Sequence, residues 1–210
     1  QFARQPFHSA RTADIQAAID HVAQLCPGSP LIAVGFSLSA NMLLKLLGER
    51  GAGHQTCSSD SPESARRDAQ PTPQLTKAMA IAPPIDLMHC CENLENGFAG
   101  VYGLQYAKFL WQHLKSRKDV VPAFADAVRE KPPRRIIEFD RRFTAPLGGF
   151  DSVEHYYDTA SSKRVLPHIQ IPTLILTAAD DPIVPGRVFD DAQLPDCVQL
   201  HMTDHGGHLG

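Results

Sequence analysis

Nowhere in its 210 residues does this sequence hold an apolar run of the roughly 18 residues that a bilayer-spanning helix needs. It also lacks an opening signal segment, basic then apolar. A transmembrane segment is therefore not expected; the expected location is cytoplasmic, with peripheral contact to a membrane left open. A cationic surplus is missing too: 20 Lys and Arg face 23 Asp and Glu, for a net charge of -3. The short basic clusters SRKD at 116–119 and REKPPRR at 129–135 are each countered locally by acids, so no nucleic-acid partner is expected. Five cysteines, at 26, 57, 90, 91 and 197, make an odd set without C-x-x-C spacing, which argues against a disulfide framework or a zinc ribbon and favours a reducing compartment. The adjacent Cys90 and Cys91 read as ordinary thiols. There is no internal repeat, no heptad and no initiating methionine; QFARQPFHSA reads as the middle of a chain and TDHGGHLG closes on no element, so the expectation is a piece of a longer protein.

What is present is enough apolar material, 43% of residues, for one buried core. Residues 12–25, TADIQAAIDHVAQL, place Ile15, Ala18, Ile19, Val22 and Leu25 at helical spacing, with Thr12 or Ser9 available as a cap. Pro27, Gly28 and Pro30 end that helix. Residues 31–36 are continuous and apolar, as a strand covered on both faces would be, and a helix over 38–48 is expected to stop at Gly48. The segment 51–75, rich in Ser, Pro, Gly, Gln and Asp, reads as a flexible insertion. A second strand begins near Lys77, a third, IPTLILTAA, at Ile171, and a fourth, VQLHM, covers 198–202. Between the second and third lie helical pieces around 101–115, 119–130 and 151–161, and a helix is expected between the third and fourth. The pattern is an α/β domain over 1–210 with a mostly parallel sheet and a helical cap insertion over 86–168.

The stretch LIAVGFSLSANMLLKLLG, residues 31–48, puts Ser37 on the bend between a strand and a helix. In G-x-S-x-G enzymes the serine sits on such a strained turn, its oxygen above the carboxyl end of the sheet. Here the segment is Gly35-Phe36-Ser37-Leu38-Ser39, with serine in place of the last glycine. A serine hydroxyl needs a histidine to take its proton and a third group to orient that histidine. The acidic pair Asp180-Asp181 follows the third strand, and His205-Gly206-Gly207-His208 follows the fourth. Serine, acid and histidine thus occur in the chain order this class of sheet enzyme requires. The proline after Asp181 favours it over Asp180, and the two glycines before His208 favour it over His205. His8, His89 and His155 have no metal-ligand spacing, and the pair His205 and His208 lacks a third ligand.

These features resemble the α/β-hydrolase superfamily, and within it the YheT-like or embryogenesis-associated (AB hydrolase 4) family. The segments that carry the likeness are PFHSARTADIQAAIDHV, GFSLSANMLLKLLGE, PPIDL at 83–87, FDRRFTAPLGGF at 139–150, YYDTASS at 156–162, IPTLILTAADDPIVP and TDHGGHLG, which together span nearly the whole chain. The resemblance implies a partial α/β-hydrolase fold, N-terminally incomplete, and a serine esterase or lipase acting on carboxylic esters. It puts the nucleophile on Ser37, the acid on Asp181 and the base on His208. Where the family pattern has two glycines before the asparagine, this chain has Ser39 and Ala40.

If the triad acts, His208 takes the Ser37 proton, Asp181 holds the imidazole, and the Leu38 N–H is one oxyanion donor; the second donor comes in such enzymes from a loop after an earlier strand. The expected substrate is a small-molecule or lipid ester, and no cofactor and no metal is implied. An acyltransferase would use the same three residues, and an inactive binding protein could keep the fold. Asp140, Phe143 and Thr144 are candidates for closing or lining the cap, with a turn held by Asp140 as the alternative. Phe109, Trp111, Phe124, Tyr156 and Tyr157 could wall an acyl pocket or simply be core.

Overall fold

The computed structural model describes residues 7–55, 75–96, 100–119, 121, 124–125, 128–129 and 131–209. Four short apolar segments form strands: β1 (Leu31–Phe36), β2 (Leu75–Ile81), β3 (Thr173–Ala178) and β4 (Val198–Thr203). They lie side by side in chain order and every neighbouring pair is parallel. All four therefore present their carboxyl ends along one edge, with Gly35 beside Ala80, Ile81 beside Leu176 and Ala178 beside Thr203. In open parallel sheets that edge is where ligands bind.

Helix α1 (Thr12–Leu25) forms where its periodicity predicts, but neither expected cap operates. Arg11 takes the cap position, its side chain paired with Asp14 instead of bonding a helix N–H; Thr12 donates its hydroxyl to Glu49 at 2.8 Å, and Ser9 is buried against the Tyr156 hydroxyl at 2.7 Å. None of its residues is fully buried, and Val22 and Leu25 are exposed.

Helix α2 (Leu38–Gln55) runs a full two turns beyond the Gly48 stop that the sequence suggested, taking in the first residues of the expected insertion. The two glycines are contact points instead of terminators. A Cβ on Gly48 would lie 2.2 Å from the Val165 carbonyl oxygen, and one on Gly51 would meet the His168 oxygen, so both let the helix backbone touch the short 3-10 turn Leu166–His168. Most of the expected insertion, residues 56–74, lies outside the described residues.

Strand β1 departs from the expectation of two covered faces. Ile32, Val34 and Phe36 are 64%, 51% and 53% exposed, while Gly35 on the alternate face is buried. An unbroken apolar run does not say which faces are covered; among the described residues no element buries the β1 face that carries Ile32, Val34 and Phe36. The link between β3 and β4 also differs. Instead of a helix it is a loop with one 3-10 turn, Gly186–Phe189, bracketed by Pro182, Pro185 and Pro195.

The principal core joins Leu43, Leu44 and Leu47 of α2 to Ala80 of β2, Ile175 of β3 and Val198 of β4. Leu44 and Ile175 are fully buried, each stabilising the fold by roughly 1.5–3 kcal/mol. Helices α3 (Leu87–Glu95), α4 (Gly100–Ser116), α5 (Ile136–Phe139), α6 (Ala145–Gly148) and α7 (Val153–Ala160) fill the excursion between β2 and β3. A π-helical turn, Asp140–Thr144, joins α5 to α6. Of the helix expected around 119–130 only a few residues are described. The excursion has two apolar clusters of its own, one around Tyr156 and Tyr157, the other around Trp111, Phe139 and Phe143. The result is a mixed α/β architecture, a small parallel sheet with flanking helical insertions, consistent with a partial α/β-hydrolase fold.

Candidate active site

Ser37 occupies the single residue between β1 and α2, with φ at 49°, a left-handed value that non-glycine residues seldom adopt. The turn is held from several sides. The Ser37 N–H donates to Ile81 O at 2.8 Å, and the Ala40 and Asn41 N–H groups both donate to Ser37 O. Gly35 has no room for a side chain, because a Cβ there would stand 2.7 Å from Ala40 Cα. Ser39 fills the position of the second motif glycine with a bond of its own: its hydroxyl donates to Phe36 O at 2.8 Å and receives the Phe36 N–H at 3.0 Å. Ala40, fully buried, is small enough for the crossing of strand and helix. The serine and alanine at these two places are therefore accommodated by the turn.

Asp181 follows β3. Its side chain is 0% exposed, and its Oδ1 accepts the Ile183 and Val184 N–H groups at 2.8 and 3.0 Å. That leaves Oδ2 for His208 Nδ1, at 2.8 Å. The other ring nitrogen, His208 Nε2, lies 2.9 Å from Ser37 Oγ. With Asp181 accepting at Nδ1–H, Nε2 is left as the acceptor toward the serine hydroxyl. The loop after β4 reaches this point through Gly206 and Gly207, the latter at φ 56°. The structure thus brings Ser37, His208 and Asp181 into one hydrogen-bonded line across the carboxyl edge of the sheet. Leu38 is the first residue of α2, so its N–H is among those a helix leaves without an intrahelical acceptor.

His205 stands apart, its side chain 90% exposed and 3.3 Å from Asp180. Asp180 has a structural part that the sequence did not reveal. Its Oδ1 accepts the Gly207 N–H at 2.8 Å, tying the loop of His208 to the end of β3; this bond, with His205 beside it, holds the carboxyl below its usual range. The doubled acid was the available signal. Asn41 was also missed: fully buried, it donates to Ala160 O at 2.8 Å and accepts Ser162 N–H at 2.9 Å, so it locks the start of α2 to the end of α7.

A cavity of about 820 Å3 opens beside Ser37, Leu38 and His208 and extends beneath the excursion. Phe109, Phe124, Tyr156 and Tyr157 line it, as do Asp140, Phe143 and Thr144; Trp111 packs instead against Phe143, with ring centroids 5.6 Å apart. Asp140 is buried on the π-helical turn and receives the Thr144 hydroxyl at 2.5 Å and the Tyr157 hydroxyl at 2.7 Å. Burial pushes its carboxyl up, against those two bonds. Burial likewise raises the Cys91 thiol to about 12 and drives Cys90 upward, which removes both as thiolates at neutral pH. Among the described residues, no three His, Cys, Asp or Glu side chains are arranged to hold a metal ion, and no helix is long and apolar enough to cross a membrane.

No protein-family model matches the chain. An Escherichia coli (strain K12) protein, YheT, whose name carries a provisional esterase assignment, is 30% identical over 207 residues, covering 97% of this chain and 55% of that one. The mouse protein named phospholipase ABHD3 is 29% identical over 204 residues, covering 96% of this chain and 45% of its own length. The chain therefore spans about half the length of these curated relatives. Among solved structures, a serine hydrolase of the bacterium Cycloclasticus zankles superimposes with a TM-score of 0.51 at 20% identity, over 99% of this chain and 68% of that one. The chain has an α/β-hydrolase-superfamily fold and is related to proteins named as esterases and lipases.

Proposed function

We propose that this chain carries the catalytic residues of a serine esterase of the YheT-like kind, which cleaves carboxylic esters through an acyl-enzyme. The observation that carries the reading is the line from Asp181 Oδ2 through His208 to Ser37 Oγ, at 2.8 and 2.9 Å, at the mouth of a largely apolar cavity. As Ser37 Oγ attacks the ester carbonyl, its proton passes to His208 Nε2, and the imidazolium is held by the buried Asp181 carboxylate. The carbonyl oxygen gains negative charge, and the Leu38 N–H at the start of α2 stabilises it, helped by the positive end of the helix dipole. The tetrahedral intermediate collapses, His208 returns the proton to the leaving alcohol, and the acyl group stays on Ser37. Water then attacks that ester with His208 as general base, releasing the carboxylic acid and restoring the serine. The cavity walls, aromatic and aliphatic, suit the acyl chain of a small-molecule or lipid ester, and the scheme requires no cofactor.

Hydrolysis of p-nitrophenyl esters of graded chain length tests this. Activity should fall by about 10^4 to 10^6 in Ser37→Ala. A fluorophosphonate should label the parent chain stoichiometrically and leave Ser37→Ala unlabelled. A folded parent chain that neither turns over any ester nor takes the label would refute the reading.

A further inference from the structure

We infer that helix α4 seats the protein on an anionic lipid surface, with the rim of the cavity turned toward the bilayer. The helix binds its own protein through Gly103, Ala107, Trp111 and Leu114, a narrow stripe at helical spacing. Its remaining circumference is unusually apolar for a surface: Val101, Tyr102, Leu104, Tyr106 and Phe109 are 65%, 59%, 37%, 45% and 60% exposed. Single exposed apolar residues are normal, but three of these five, Tyr102, Tyr106 and Phe109, share one flank of the 17-residue helix and form a patch of the kind that marks an interaction site.

The patch is ordered. Tyr102, Tyr106, Phe109 and His113 recur at intervals of four, three and four, which places them on one flank. Tyr106 and Phe109 stack with centroids 6.4 Å apart, and Phe109 and His113 at 6.5 Å. Lys108 and Lys115 lie on the other flank. Within α4 the charged residues are Lys108 and Lys115, with no Asp or Glu, and Arg117, Lys118 and Asp119 follow its end, in a chain whose net charge is -3. Aromatic rings beside lysines on a helix too short and too polar to span a membrane are what an interfacial helix needs. The charge chooses the occupant: a segregated basic helix on an acidic protein complements an anionic bilayer. Continuity with the cavity supplies the second argument, because Tyr102, Tyr106 and Phe109 also line the cavity that leads to Ser37. An amphiphile leaving the bilayer would meet these rings first.

The test is co-sedimentation of the 210-residue chain with vesicles of phosphatidylcholine alone and of phosphatidylcholine with about one third phosphatidylserine. Binding should be at least about tenfold tighter to the anionic vesicles and should weaken with added salt. Lys108→Glu with Lys115→Glu should remove that preference by about tenfold or more, whereas Lys77→Glu, an exposed lysine on β2, should not change it. Tyr102→Ser with Phe109→Ser should weaken binding to both vesicles. Ser37→Ala should bind like the parent, which separates this inference from the esterase reading. Equal or absent binding to the two vesicles by the parent chain would overturn it without any variant. So would a patch-dependent self-association in size-exclusion chromatography that Phe109→Ser abolishes while vesicles go unbound, since the patch would then serve a second copy of the chain.

Discussion

Replacing Asp181 by Asn probes the site with almost no change in shape, and the structure dictates which way the new amide must face. Oδ1 of Asp181 accepts two backbone N–H groups, from Ile183 and Val184, while Oδ2 accepts one proton from His208 Nδ1. An amide NH2 set against two N–H donors would leave three buried donors in conflict, at roughly 1–3 kcal/mol each. The Asn oxygen therefore stays with Ile183 and Val184, and its NH2 turns to His208. Nδ1 must then accept, the ring proton moves to Nε2, and Nε2 can no longer take the proton of Ser37. The same exchange in a serine protease lowers kcat about 10^4-fold, or roughly 5 kcal/mol of transition-state stabilisation. Steady-state hydrolysis of p-nitrophenyl butyrate should show a loss of that order with KM little changed, and circular dichroism should show the fold retained. A folded Asp181→Asn that keeps more than about a tenth of parental kcat would refute the tautomer argument. If Asp180→Asn proved the more damaging of the two, the acid would have been assigned to the wrong carboxylate.

The two kinds of glycine in α2 should respond oppositely to alanine. Gly48→Ala drives a methyl into the Val165 backbone and should cost about 1–3 kcal/mol or more, whereas Gly53→Ala meets nothing within 4 Å and should gain about 0.5–1 kcal/mol; urea midpoints distinguish them. Asn41→Ala leaves Ala160 O and Ser162 N–H without their buried partner and should cost about 2–4 kcal/mol in the same assay, with a further drop in kcat as the start of α2 loosens. Asp86 caps α3 through His89 N–H and touches the His89 ring and Lys163. Although burial opposes ionisation, the His89 bonds and Lys163 hold its carboxyl below the usual 3.8. Because the folded pKa is depressed, its charge stabilises above about pH 4 and that contribution is lost as pH falls through the folded value. Asp86→Asn, which keeps a capping oxygen, should unfold at lower urea than the parent at pH 7, with the gap closing below pH 4; a gap that persists at pH 2 would mean the charge is not its source.

Much of the fold was legible because its signals are local. Each of the four strands is a short apolar run bounded by Pro, Gly or polar residues, and each appears within two residues of its expected place. Periodicity carried α1, and the glycine before Ser37 identified a turn that admits no side chain. Local signals misled where a residue type has two uses. Gly48 and Gly51 read as a helix stop, yet they serve a close approach to residues some 120 positions away, which no window of neighbours encodes. Thr12 and Ser9 read as caps, yet their hydroxyls are engaged with Glu49 and Tyr156. The unbroken run at 31–36 could not say whether one face or two would be covered.

By itself, then, the sequence determined a parallel α/β sheet and the chain order of a serine, an acid and a histidine, each just past a strand, because strand ends and turn residues are written in adjacent positions. The neighbouring proline and glycines favoured Asp181 and His208, but only the tertiary structure shows the distances at which they meet: Asp181 and His208 lie in line with Ser37, while Asp180 ties the loop from outside with His205 exposed beside it. The tertiary structure likewise decided that Asp140 and Tyr157 share a cavity wall and that the aromatic flank of α4 stays in the open. The reason is physical: adjacent residues at a strand end point in different directions, and a difference of one position becomes a difference between a buried, doubly anchored carboxylate and an exposed one only when the neighbouring strand and its loop are in place.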